Sequence, residues 1–153
     1  MITLRSSCIT ALLAVSLISA ALAAPPKASG LLSWRGPDQN GVLPGVGYPE
    51  SWALDGENHL WTYKVKGGGT PVIANGKLYT FGYYDNPKDL SEVQESLICL
   101  DAETGALVWE HPFSDYISDV VYNRYGVGSP IVDAETDNVY LQGSNGRLMA
   151  FTA

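Results

Sequence analysis

The sequence predicts an all-β protein built from short antiparallel strands. Three observations support this prediction. Short apolar stretches rich in β-branched and aromatic residues alternate with turn residues such as Asn75-Gly76. An order of Ser/Thr-Pro, strand, turn and strand occurs twice along the chain. No amphipathic run of helical period is long enough to form a substantial helix.

Residues 1–23 are predicted to be a secretory signal peptide. Arg5 supplies a positive charge, an almost unbroken apolar run follows, and Ala21-Leu22-Ala23 has the small residues of a cleavage site. The alternative is a membrane anchor, but the apolar run is shorter than the roughly 20 residues that a spanning helix needs. We therefore expect an exported protein, periplasmic or extracellular.

Charge and cysteine content restrict the partners. Cleavage would remove Arg5 and change the net charge from −7 to −8, and no cluster of Lys or Arg indicates a nucleic-acid partner. Cys99 would then be the single cysteine, so an intramolecular disulfide cannot form. Its apolar neighbours predict a buried, inert thiol.

Residues 24–59 are predicted to form a linker and an irregular N-terminal arm. Residues 24–32 are rich in Pro, Ala, Ser and Gly, and the turn-forming pairs Gly36-Pro37 and Asn40-Gly41 follow. The large aromatic residues expected to hold the arm in place are Trp34, Tyr48 and Trp52.

From residue 60 onward the sequence predicts strands joined by turns. Leu60 to Val65 is the first, and the glycines at 67–69 are interpreted as a flexible connector because no helix follows them, as a phosphate-binding loop would require. Asn75-Gly76 predicts a two-residue hairpin. Tyr84 to Glu95 is interpreted as a surface insertion, in which Asp89 to Gln94 is compatible with a short helix. Further strands are predicted at residues 96–100 and 107–110.

Two sets of segments repeat one order of strands and turns. The first runs from Thr70 to Asp101 and the second from Ser129 to Thr152. Trp61 and Trp109 also repeat, each in a strand that leads into the next set. The order predicts one complete four-stranded unit and most of a second, with further units expected beyond residue 153. An open edge of this kind predicts marginal stability or self-association of the isolated chain.

The sharpest local pattern is the turn that begins at Asp101. Asp101 and Thr104 can hydrogen-bond the turn backbone, and Gly105 can adopt a positive φ and begin the next strand through a bulge. Trp109 offers a large apolar surface and one N–H donor for packing against a neighbouring unit.

These residues resemble the tryptophan-docking repeat of the quinoprotein alcohol dehydrogenase-like (PQQ-like) β-propellers. The family pattern Ala-x-Asp-x-x-Thr-Gly-x-x-x-Trp is matched at Asp101, Thr104, Gly105 and Trp109, with Cys99 in place of the alanine. The resemblance implies a partial β-propeller of four-stranded antiparallel blades over residues 60–153, about one complete blade and most of a second. It also implies that Trp61 lies on the outer strand of the last blade and closes the ring.

The resemblance leaves two functional hypotheses. The first is a non-catalytic exported scaffold that binds a protein or a cell-envelope ligand, together with the rest of its own propeller. The second is the N-terminal part of a periplasmic oxidoreductase that uses pyrroloquinoline quinone (PQQ), with its active site in missing blades. No catalytic, cofactor-binding or metal-binding residue of the family can be matched in this sequence, so PQQ is expected only in a longer protein.

Candidate binding residues lie near residue 124. Tyr122, Arg124 and Tyr125 combine aromatic and cationic groups, as binding surfaces do, and we expect them on one rim of the ring. The favoured alternative is that the tyrosines cover the apolar gap between units. Residues 133–138 space carboxylates as a calcium loop does, but a polar hairpin turn is favoured because the central glycine and distal glutamate are missing. The isolated histidines, which predict no zinc site, are His59 and His111.

Overall fold

A computed structural model of the chain describes residues 27–86, 89–113 and 124–153. These residues form two antiparallel sheets and no helix, which confirms the all-β prediction for this part of the chain. No helix in these ranges has the length and apolar character needed to cross a membrane. The predicted signal peptide, residues 1–23, lies outside the described residues.

The first sheet contains five strands in the order in which they occur along the chain. They are β1 (Gly30–Leu31), β2 (Val72–Ala74), β3 (Lys77–Asn86), β4 (Asp89–Asp101) and β5 (Leu107–Phe113). The hairpin from β2 to β3 turns at Asn75-Gly76 as predicted, and these two residues have φ angles of 50° and 76°. Positive φ at both central residues is the geometry that this residue pair favours.

A long hairpin joins β3 and β4. The predicted surface insertion from Tyr84 to Glu95 and the short helix from Asp89 to Gln94 are both wrong, because β4 begins at Asp89 and continues to Asp101. Pairing with β3 extends almost to the hairpin end, with one irregularity. The hydrogen bonds of this ladder therefore outweigh the low strand propensity of the polar residues.

The second sheet contains three strands, β6 (Ile131–Val132), β7 (Asn138–Gln142) and β8 (Leu148–Thr152). They coincide with the strands predicted for the second repeat set. Tyr140 lies opposite Ala150 in this sheet, as Tyr79 lies opposite Cys99 in the first. The second sheet therefore repeats the register of β2, β3 and β4.

The N-terminal segment 27–33 packs between the two sheets, although the sequence predicts a linker there. β1 pairs with β2 in the first sheet, and Leu32 O accepts a hydrogen bond from Val132 N in the second at 2.9 Å. Gly30 permits this approach because it has a φ of 138° and because any Cβ there would collide with the carbonyl oxygen of Ile73.

Residues 34–58 form the irregular arm that the sequence predicts, with turns and no strand. The expectation that aromatic residues hold the arm in place is wrong, because Trp34 and Tyr48 are each 57% exposed and Trp52 is 63% exposed. At the start of the arm, Gln39 Nε2 donates a hydrogen bond to Oγ of the buried Ser33 at 2.5 Å.

Residues 60–65 are extended but belong to neither sheet. Alternate residues from 59 to 65 are partly buried while those between them are exposed, as in a strand with one face against a sheet. The segment contacts the first sheet directly, since Val65 packs against Gly82 and Tyr63 hydrogen-bonds Tyr84. Burial and this hydrogen bond raise the pKa of Tyr84. The predicted strand does not form, since no backbone–backbone hydrogen bond joins residues 60–65 to another described residue.

The apolar core lies between the two sheets. Cys99 is buried in it as predicted, and burial raises the pKa of its thiol. Phe81 and Phe113 stack with their ring centroids 5.7 Å apart. The other core residues are Val72, Ala74, Tyr79 and Leu97 from the first sheet, Val132, Val139 and Leu141 from the second, and Ala28 from the N-terminal segment.

Candidate functional site at the junction of the two sheets

The turn between β4 and β5 has the local structure that the sequence predicts. Asp101 Oδ1 accepts hydrogen bonds from Thr104 Oγ1 at 2.7 Å, Thr104 N at 2.8 Å and Glu103 N at 3.2 Å. These bonds, above all the one from the threonine hydroxyl, lower the pKa of Asp101 from its ordinary value of 3.8. Gly105 has a φ of 71°, and the pairing of β4 with β5 shifts beside the turn, as a bulge requires.

Trp61 lies on this turn. Its Nε1 donates a hydrogen bond to Ala102 O at 3.2 Å, and its ring covers Gly105. A Cβ at position 105 would come within 2.5 Å of the indole, so only glycine leaves room for the ring. Segment 60–65 is therefore attached to the first sheet by its tryptophan, without backbone pairing.

A second turn with the same chemistry joins β6 to β7. Residues 133–136 repeat the sequence Asp-Ala-Glu-Thr of residues 101–104. Asp133 accepts hydrogen bonds from Thr136 Oγ1 at 2.5 Å and Glu135 N at 3.2 Å, and the threonine hydroxyl is the main cause of its lowered pKa. The stretch is the predicted hairpin turn, and the repeated tetrapeptide is a sequence signal that identifies it.

Backbone groups lie against the second turn. Lys27 N and Ala28 N donate to Ala134 O at 2.7 and 3.1 Å. Asp137, with a φ of 63°, occupies the position that glycine has in the first turn. Asn75 Nδ2 donates to Lys27 O at 2.9 Å. The N-terminal segment is thus held where the β2–β3 and β6–β7 turns meet.

Trp109 lies on the other face of the first sheet, between the two sheets. Its ring centroid is 5.9 Å from that of Tyr79 and 6.2 Å from that of Phe151 in β8. The structure therefore brings together Trp61 and the turn residues of the predicted docking motif. Trp109 instead packs toward the second sheet.

Glu95 is a buried carboxylate that joins the two sheets. It is 2% exposed, and its carboxylate accepts hydrogen bonds from Gly126 N at 2.9 Å and Ser144 N at 3.2 Å. Ser144 Oγ also contacts Glu95 Oε1, and it lies 3.0 Å from its other acceptor, Arg124 O. Since a hydroxyl carries one proton, it serves one of these acceptors at a time. Buried polar oxygens need hydrogen-bond partners, and here the partners lie outside Glu95's own sheet.

The sequence does not identify Glu95 as a buried residue, because the polar stretch from Tyr84 to Glu95 predicts a surface insertion. Nothing local distinguishes it from Asp85 or the other acidic residues of the same stretch. Its burial depends on the length of the β3–β4 hairpin and on Ser144, 49 positions away. The burial of Glu95 therefore depends on residues that are distant from it in the sequence.

The predicted rim residues separate. Tyr122 lies outside the described residues, and Arg124 is exposed. Tyr125 is only 5% exposed and packs on Tyr83, with ring centroids 5.5 Å apart. For Tyr125 this geometry corresponds to the alternative that the tyrosine covers an apolar gap. Whether Tyr122 and Arg124 bind a partner stays a prediction.

The remaining candidates take part in structural contacts. His59 hydrogen-bonds Thr62 Oγ1 at 2.8 Å, and His111 packs against Phe151 with centroids 5.0 Å apart. The sequence predicts a flexible connector at the glycines 67–69. In the structure they are held in place, because Gly68 N and Gly69 N donate hydrogen bonds to the carbonyl oxygen of residue 126. Within the described ranges, no group of three or more His, Cys, Asp or Glu side chains could hold a metal ion.

Comparisons of the chain with protein-family models, curated proteins and solved structures find no match. The PQQ-like resemblance and the PQQ-dependent oxidoreductase hypothesis therefore stay predictions from the sequence.

Proposed function

We propose that the chain forms successive β-propeller repeats of an exported, non-catalytic binding scaffold. The observation that supports this most is the repetition of one strand register in two sheets that share a core. Units that bury one face against the next unit are the building principle of propellers and other repeat proteins. Such folds serve binders and enzymes alike, so the function depends on the surface that they present.

The proposed contact surface is the rim at Tyr122 and Arg124. Arg124 is exposed, but its backbone is held in place. Its carbonyl oxygen lies 3.0 Å from Ser144 Oγ, and Gly126 N, two residues further on, donates a hydrogen bond to Glu95. A side chain presented from a fixed backbone loses less conformational freedom on binding than one on a mobile loop. The guanidinium favours an anionic or aromatic group on the protein or cell-envelope ligand.

Site-specific photo-cross-linking in the source cell tests the rim. A photoreactive residue in place of Arg124 is expected to give a discrete adduct, and Tyr122→Ala in the same protein is expected to weaken it. The matched control places the photoreactive residue at the exposed Asp38 of the arm. Equal adducts at both positions, or no adduct at Arg124, would contradict the proposal.

Export is tested separately by the mass of the native protein. The proposal predicts that the N-terminus of the mature chain is Ala24 and that the protein is found in the periplasm or outside the cell. Retention of residues 1–23 together with a cytoplasmic location would contradict it.

A further inference from the structure

His59 holds the turn at the end of the arm through both nitrogens of its ring. Its Nδ1 lies 3.1 Å from Asp55 N, and its Nε2 lies 2.8 Å from Thr62 Oγ1. The turn itself is closed by hydrogen bonds from Gly56 N to Ala53 O and from His59 N to Gly56 O. The side chain of His59 is only 17% exposed, so protein atoms rather than water are the main partners of its ring.

These contacts determine which ring nitrogen carries the proton. A backbone N–H can only donate, so Nδ1 accepts the hydrogen bond from Asp55 N and carries no proton itself. The proton of the neutral ring then lies on Nε2, which donates to the hydroxyl oxygen of Thr62. The observed geometry therefore requires a neutral His59 with its proton on Nε2.

The carboxylate of Asp55 is a second partner for the same nitrogen. Its Oδ1 lies 3.8 Å from Nδ1, too far for a hydrogen bond, but the side chain is 99% exposed and no packing opposes its rotation. A protonated ring carries hydrogens on both nitrogens, so it cannot accept from Asp55 N and instead favours the carboxylate. Asp55 N and Asp55 Oδ1 thus compete for Nδ1, and the charge of the ring decides between them.

The turn forms one wall of a groove of about 480 Å³. Trp52 and Leu54 line this wall, and Trp52 packs against His59 with ring centroids 6.2 Å apart and planes at 83°. The residues that line the groove from the first sheet and its turns carry no charge; they are Ile73, Leu78 and Ala102. Among residues 27–86, 89–113 and 124–153, Asp55 has the only carboxylate within 4.0 Å of the ring nitrogens of His59.

The backbone of Asp55 is strained in the observed state. Its φ of 61° lies in the left-handed region, which is unfavourable for a residue with a Cβ. The hydrogen bond from Asp55 N to His59 helps to hold this conformation. Loss of that bond therefore allows the turn to relax, and Leu54, the residue before Asp55, moves with it.

We infer that the turn from Asp55 to His59 is a pH-sensitive switch of this groove. In mildly acidic solution the ring of His59 gains a proton from solvent, releases Asp55 N and takes the Asp55 carboxylate as its partner. Histidine is the side chain whose charge ordinarily changes between about pH 5 and 8. The groove wall at Trp52 and Leu54 then changes position. This inference goes beyond the proposed function, which makes no use of the arm.

NMR of the full chain between about pH 8 and 5 tests the switch. At the upper end, the ring nitrogen signals of His59 are expected to show the proton on Nε2. As the pH falls, the Asp55 amide signal is expected to move upfield because its hydrogen bond is lost. The indole N–H signal of Trp52 is expected to shift with the same midpoint.

Three variants separate the switch from general effects of pH. His59→Gln is expected to lose the transition, because a glutamine oxygen can accept from Asp55 N without titrating. The matched control is His111→Gln, at the other histidine of the chain, and it is expected to keep the transition. Asp55→Asn keeps the N–H donor and removes the carboxylate, so the midpoint is expected to fall by about 0.3 pH unit, the size of an exposed ion pair.

A proton on Nδ1 of the neutral ring would overturn the inference, as would an Asp55 amide that does not respond while the ring titrates. A transition that persists in His59→Gln would also overturn it. If the midpoint is unchanged in Asp55→Asn, the exchange of partners is wrong. If Asp55 responds while Trp52 and Leu54 do not, the coupling of the turn to the groove is wrong.

Discussion

The two Asp-Ala-Glu-Thr turns have the same internal hydrogen bonds but different partners. The first joins β4 to β5 and accepts the indole N–H of Trp61 at Ala102 O; the second joins β6 to β7 and accepts backbone N–H groups at Ala134 O. Each turn therefore presents its alanine carbonyl as an acceptor. The residue after the threonine differs, and Gly105 leaves room for a ring that a Cβ would exclude. The turn is a local unit, and Gly105 gives the first turn the space that the ring of Trp61 occupies.

Placing the aspartate of the second turn into the first is the most disruptive of the substitutions that exchange the two turns. Gly105→Asp is expected to lower the free energy of unfolding by about 3 kcal/mol, because it combines positive-φ strain with a clash against Trp61. Urea denaturation measures the loss. In a Trp61→Ala background the same substitution should cost about 1 kcal/mol. An equal cost in both backgrounds would show that the indole does not select glycine.

Removing the indole donor tests whether the two turns are independent. Trp61→Phe keeps most of the apolar ring but loses the hydrogen bond to Ala102 O, so a loss of about 1 kcal/mol is expected. Amide hydrogen exchange at Lys27 and Ala28, which donate to the second turn, is expected to stay unchanged relative to global unfolding. Selective loss of protection at these two amides would mean that the turns are coupled.

The reciprocal substitution places the glycine of the first turn into the second. Asp137→Gly relieves a φ of 63° in a residue with a Cβ, so a gain of about 0.5 kcal/mol is expected after the greater freedom of glycine in the unfolded chain is subtracted. A thermal melt detects the gain. A clear loss would show instead that the side chain of Asp137, 3.4 Å from Asn75 Nδ2, stabilises the turn.

The two turn aspartates make only a small contribution to the acid sensitivity of the fold. Asp101 and Asp133 both have pKa values below 3.8, so each contributes stability that is complete above that pH and is lost as the pH falls through its pKa in the folded protein. Thr104→Val and Thr136→Val should each raise the pKa of the aspartate in the same turn. Carboxyl NMR titration measures both values. A shift in one turn only would contradict their equivalence.

Local turn chemistry was predictable from the sequence, and long-range contacts were not. Asn75-Gly76 and the Asp101 turn are determined by residues within a few positions of one another, so their structures follow from φ preferences and side-chain oxygens. The β3–β4 hairpin contradicts the propensities of its polar residues, because ladder pairing outweighs them. β1 was missed since a short Gly-Leu segment has no period to detect, and its strand depends on a distant partner.

The same distinction applies to the candidate site. Trp61 was recognisable as a repeat of Trp109, but its contact with Ala102 lies 41 positions away and depends on how segment 60–65 crosses the first sheet. Glu95 was not recognisable, because only the assembled junction removes it from water. Arg124 and Tyr125 are adjacent in sequence, yet one is exposed and the other is buried. Composition alone cannot separate them.

Glu95 joins the two sheets and holds the backbone at Gly126 and Ser144. A double-mutant cycle of Glu95→Ala and Ser144→Ala, measured by urea denaturation, tests this role. Glu95→Ala is expected to cost about 3 kcal/mol because it leaves buried N–H donors unsatisfied, with a coupling energy to Ser144 of about 1 to 2 kcal/mol. One cooperative transition with this coupling is the predicted result. Additive effects, or separate transitions for the two sheets in the unsubstituted chain, would contradict the claim.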